Sequence, residues 1–234
     1  MKEGTGFMRV NRAKGKDGKF RDASEMVSEI ERELSQLDPR DAHNMRTVRK
    51  KYSGLLKSAE GEYVLALASK IPINDRWLGF ELITNQKDAF GELDGRTVEA
   101  IGKGISSWWT VDAFARLLSG PAWLAGKIPD RLVERWARSE DRWWRRAALV
   151  STVALNTKSA GGRGDSPRTL RICRMLAGDR DETVVKALSW ALRALAGHDA
   201  NGVKEFLEEN EVAALVKREV RNKLVTGLKN PKKH

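Results

Sequence analysis

In the stretch Ser106-Ser107-Trp108-Trp109-Thr110-Val111-Asp112-Ala113, a carboxylate follows an indole by four residues. Either serine hydroxyl can accept an orphan backbone N–H at a helix start. On the helix that follows, Trp108 and Asp112 fall on one face, one above the other. An aromatic plane beside a carboxylate suits a site that handles a cationic, electron-poor group.

The elements that must position this pair read as helices almost throughout. Met26, Ile30 and Leu34, with Val27 beside them, recur at helical spacing until Asp38-Pro39. Later apolar stripes start after Asp75, Asp94, Pro129, Asp141, Pro167 and Asp181. The helix of Trp108 is expected to run to about Leu118, with Pro121 opening the next. Residues 160–165 form a glycine-rich loop, read as flexible. No alternating strand stands out. Residues 1–21 are rich in Gly, Lys and Arg and are expected to form a basic, extended or flexible arm, with one repeat domain over 22–234.

Under the helices lies a repeat. Asp75, Ser107, Asp141 and Asp181 each precede bulky residues and an apolar helix, at separations of 32, 34 and 40 residues. That range fits HEAT or armadillo units, helix pairs that bury their apolar faces by stacking. The expected fold is therefore all-α, an α-solenoid of HEAT-like repeats curved around a basic concave surface. Five residues past the caps stand Phe80, Asp112, Arg146 and Lys186. Equivalent repeats would line these charges along one surface, either as a site or as a ladder of ion pairs between repeats. Trp190 lies one turn beyond Lys186, whereas Trp77, Trp123, Trp136 and Trp143 are assigned to packing.

The 234 residues carry 43 Lys and Arg against 32 Asp and Glu, a net charge of +11, which points to a polyanionic partner, nucleic acid first. The single cysteine, Cys173, excludes an intrachain disulfide. No apolar run reaches the roughly 18 residues of a membrane span. His43, His198 and His234 are scattered and form no metal site with Cys173. The expectation is a cytoplasmic, monomeric protein with neither metal nor cofactor.

Three segments, Ser107–Asp112, Trp144-Arg145-Arg146-Ala147-Ala148-Leu149 and Lys186-Ala187-Leu188-Ser189-Trp190-Ala191-Leu192-Arg193, resemble the bacterial DNA alkylation-repair glycosylases built from HEAT-like repeats, the AlkD family. Weaker similarity at residues 46–56 and 76–83 extends the resemblance over about residues 40–225. It implies removal of N3- and N7-alkylated purines from double-stranded DNA; such a cationic base leaves without a lysine Schiff base, so no lyase action is expected. Asp112 matches the family's catalytic aspartate, Trp108 and Trp190 its tryptophans, and Arg146 its arginine, which would hold a phosphate. Trp109 stands where the family often carries an acid. Contacts to the DNA are expected from Trp109, Arg46, Arg49, Lys50, Arg145, Lys158, Arg163, Arg168, Arg171, Lys186 and Arg193. A non-catalytic nucleic-acid binder on the same repeats, or a protein-binding scaffold, would keep the helices and lose the chemistry.

Overall fold

Every helix that carries a residue of the Asp112 set begins at an oxygen-bearing cap. Ser107 accepts from the Thr110 N–H, and Thr110 Oγ1 accepts in return from the Ser107 N–H, a reciprocal capping box. Asp141 accepts from the Trp143 N–H at 2.8 Å, and Asp181 from Thr183 and Val184. The four caps read from the repeat, Asp75 included, are all N-cap residues in a computed structural model of the chain. The structure describes residues 13–14 and 20–230.

The helices cluster into two compact units, Met1–Glu92 and Leu93–His234. In the first unit, α1 (Ala23–Ser35), α2 (Ala42–Leu55), α3 (Gly61–Lys70), α4 (Arg76–Asn85) and α5 (Lys87–Gly91) pack together. Their core includes Ile30, Tyr52, Leu67, Leu78 and Phe80. Before them, β1 (Ala13–Lys14) pairs antiparallel with β2 (Phe20–Arg21), a local pairing where only an extended arm was expected. The rest of the expected arm lies outside the described residues.

The second unit is a stack of helix pairs. One row holds α6 (Gly95–Gly102), α9 (Asp130–Ala137), α11 (Ser166–Met175) and α13 (Ala200–Glu209). The other row holds α7 (Trp108–Phe114), α10 (Arg142–Leu155), α12 (Glu182–Leu195) and α14 (Ala214–Thr226). Helix α10 is buried along most of its length, from Arg146 to Leu155, because it packs against both neighbours of its row and against α9 and α11. Such stacking is what repeats need, since one helix pair cannot cover its own apolar face. Among the described residues no helix is long and apolar enough to cross a membrane.

The helix of Trp108 does not stop near Leu118. It widens into a π turn over Ala115–Ser119 and continues as α8 (Gly120–Leu124), with Pro121 in the first turn of α8. Inserted π turns of this kind often mark functional positions. Here the turn sits against α10: Ser119 Oγ and Ser151 Oγ are 2.7 Å apart, both fully buried. A Cβ on Gly120 would lie 2.6 Å from Ala154 Cβ and 2.7 Å from the Ala115 carbonyl oxygen. Gly120→Ala should therefore push α8 off α10. We expect a loss of about 1–3 kcal/mol, overpacking outweighing the better helix propensity, seen as a lower denaturation midpoint.

The glycine-rich loop is anchored rather than loose. Asn156 Oδ1 accepts from the Asp165 N–H, the Gly164 N–H donates to the Leu155 carbonyl, and Gly162 is buried against the end of α10. Positive φ at Gly161 and Gly164 permits this path.

Candidate functional site

Asp112 and Arg146, thirty-four residues apart, meet side by side. Arg146 Nε donates to Asp112 Oδ1 at 2.9 Å and Nη2 donates to Oδ2 at 2.8 Å. Its third nitrogen, Nη1, donates to the Thr183 carbonyl at 2.5 Å, in the first turn of α12. The guanidinium thus ties α7, α10 and α12 together. The paired fork geometry is the strongest way an arginine holds a carboxylate. Arg146 is 8% exposed and Asp112 18%, so the pair is largely shielded while the carboxylate keeps an open edge. The fork of donors that the family resemblance would turn toward a phosphate meets Asp112 here.

Beneath the pair, Phe114, Trp136 and Trp144 form an aromatic cluster with ring centroids 5.1–5.8 Å apart. This cluster and Val111 fix the inward face of α7. The outward face is different: Trp108 is 63% exposed and Trp109 45%, their rings edge-to-face at 6.1 Å. Large indoles left in solvent need a reason, since tryptophan is ordinarily well buried. Trp77, Trp123 and Trp136 obey that rule; Trp143 is half-buried under Arg142. Trp190, on α12, is half-buried, and Arg116 lies over its ring with Cζ 5.6 Å from the centroid. The structure therefore brings together Asp112 and Arg146 directly, Trp108 one turn earlier on α7, and Trp190 through Arg116.

The cations expected to meet DNA divide into two groups. Several are consumed inside the fold. Arg145 donates from Nε to Asp179 at 2.7 Å and from Nη1 to the Ser139 and Glu140 carbonyls. Arg193 donates to Ser189 Oγ and sits 3.8 Å from Glu219. Arg49 reaches Glu81 at 3.5 Å, Arg168 bonds Asp165 and the Trp123 carbonyl, and Arg171 bonds Glu134. Lys186 turns back to Glu182 on its own helix. These side chains act as ties between or within helices. Arg46, Lys50, Lys158 and Arg163 are exposed and, among the described residues, their side chains make no hydrogen bond or ion pair. Sequence reasoning missed Arg116. Its signal was the same four-residue step that links Trp108 to Asp112.

Glu219, under Arg193, shows how charge stabilises the α12–α14 contact. Burial pushes its carboxyl up, but hydrogen bonds from Ser189 and Lys229 and the charges of Lys229 and Arg193 outweigh burial, and its pKa falls below the ordinary 4.5. A depressed folded-state pKa stabilises above the unfolded value and is lost as pH falls through the folded one. Urea midpoints should therefore decline below pH 4.5 more steeply for the native chain than for Glu219→Gln.

Among the described residues no group of three or more His, Cys, Asp or Glu could hold a metal ion. The described chemistry is that of a shielded carboxylate beside exposed indoles.

Comparison with known proteins bears on the family and the fold. No curated protein matches the sequence. A solved structure described as a predicted DNA alkylation repair enzyme from Enterococcus faecalis superposes with a TM-score of 0.62 at 15% identity, covering 93% of this chain and 99% of that one. At that identity the likeness establishes the helical fold. The sequence profile of the family described as "DNA alkylation repair enzyme" matches residues 41–224, a span that holds α2 through most of α14 and the whole Asp112–Arg146 site. With that span matched and this fold beneath it, the chain belongs to the DNA alkylation repair enzyme family, the AlkD-like helical-repeat proteins.

Proposed function

We propose that this protein is a monofunctional DNA glycosylase that releases N3- and N7-alkylated purines from double-stranded DNA, acting as a cytoplasmic monomer. The observation that carries the reading is the Asp112 carboxylate, clamped by Arg146 one helical turn below the exposed Trp108. An N3- or N7-alkylated purine is already cationic and leaves readily. The need is then at the sugar, which gains oxocarbenium character as the N-glycosyl bond breaks. A fixed carboxylate stabilises that charge and orients the attacking water, and fixing it in advance avoids reorganisation during the reaction. Trp108 presents an exposed ring face to a cation, worth roughly 0.5–2 kcal/mol, while the Trp190 ring holds the Arg116 guanidinium. No step requires a lysine Schiff base, so an abasic site with an intact backbone is the product.

One observation favours a second reading. Both Asp112 oxygens already accept from Arg146, as in a purely structural ion pair between repeats. A non-catalytic DNA binder would look the same there. Incubation with N7-methylguanine duplex followed by alkali separates the two. Strand cleavage at the lesion supports the glycosylase; retained binding with no alkali-labile sites supports the binder.

A further inference from the structure

Arg116 differs from the other arginines around Asp112. Arg142, Arg145, Arg146 and Arg193 each have a carboxylate oxygen within 2.7–3.8 Å. Arg116 is exposed, and among the described residues its guanidinium makes no hydrogen bond or ion pair; it meets the ring of Trp190. The lack of an acid partner has a local cause. Arg116 follows Asp112 by four residues, a spacing at which the two would ordinarily pair on a helix. Arg146 takes both Asp112 oxygens, and Arg116 lies in the π turn that begins at Ala115 rather than in the regular helix of Asp112. The guanidinium is left charged, and an aromatic face supports it without neutralising it. An arginine restrained in this way, with its fork of donors unspent, suits an oxyanion with several acceptor oxygens.

We propose that Arg116, held on the Trp190 ring, binds a DNA phosphodiester, and that Trp190 contributes to DNA binding through Arg116 as a positioning residue. This rests on the DNA reading of the site but not on turnover. The test is binding of an undamaged, labelled duplex across a salt series. Arg116→Ala should lower the slope of log K against log salt by about 0.9, the share of one phosphate contact, and Arg116→Lys should keep it. Trp190→Leu should weaken binding in the native background and change nothing further in Arg116→Ala. An unchanged slope in Arg116→Ala, or equal losses from Trp190→Leu in both backgrounds, overturns the proposal. Arg116 is exposed, so its slope decides the matter even where Trp190→Leu fails to fold. A native chain without salt-dependent duplex binding would overturn the DNA reading as well, an outcome distinct from native binding with an unaltered Arg116→Ala slope.

Discussion

Asp112→Asn releases N7-methylguanine about 10²–10³-fold more slowly than the native chain at equal folded concentration, the expected cost of removing one preorganised electrostatic group. The substitution keeps size and one acceptor oxygen. It removes the charge that would face the developing oxocarbenium ion. The fold also feels it, because the shielded Arg146 guanidinium loses its counter-charge while keeping the Thr183 carbonyl. A weakened charge-assisted hydrogen bond costs about 1–3 kcal/mol, so a lower melting temperature accompanies the rate loss. The rate is therefore compared on protein shown to be folded by circular dichroism. Duplex affinity should change little, since Asp112 makes no favourable contact with phosphate. Base release at the native rate from a folded Asp112→Asn chain would remove Asp112 from the chemistry.

Arg146→Met should destabilise the second unit by about 3 kcal/mol, at the lower end of the range for breaking a buried pair, because the Asp112 edge can still hydrate. At roughly 2–4 °C per kcal/mol this is a drop of about 6–12 °C in Tm. Methionine fills similar space, so the loss reports the three hydrogen bonds rather than a cavity. The freed Asp112 side chain can then leave its fixed direction, and release per folded molecule falls as well. Arg146→Lys restores charge without the fork and should recover only part of both. Stability lost with release per folded molecule intact would make the pair structural only.

The sequence carried the helix starts because each depends on a residue and its next three neighbours. Ser107, Asp141 and Asp181 announce themselves by type, and the structure uses all three with bonded side chains. The register from those caps also carried the meeting of Asp112 with Arg146, since equivalent turns of neighbouring repeats face one another. What it could not carry was partner choice across space. Arg145, Arg193 and Arg49 look like free cations until Asp179, Glu219 and Glu81 arrive from other segments. Lys186 closes on Glu182 of its own helix. The π turn had no local signature either: it follows from packing at Ser119, Gly120 and Ser151, and with it comes the placement of Arg116. The division after Glu92 is a property of which helices touch, not of a composition shift.

If a fixed carboxylate serves a leaving group that is already charged, the charge on the base decides its release. The most direct measurement compares single-turnover base release from two duplexes, one with N7-methylguanine and one with its neutral, same-shaped 7-deaza-7-methylguanine counterpart. The cationic base should be released and the neutral one retained, with Asp112→Asn slowing the first. Equal release from both, or release of the charged base that ignores Asp112, would contradict it.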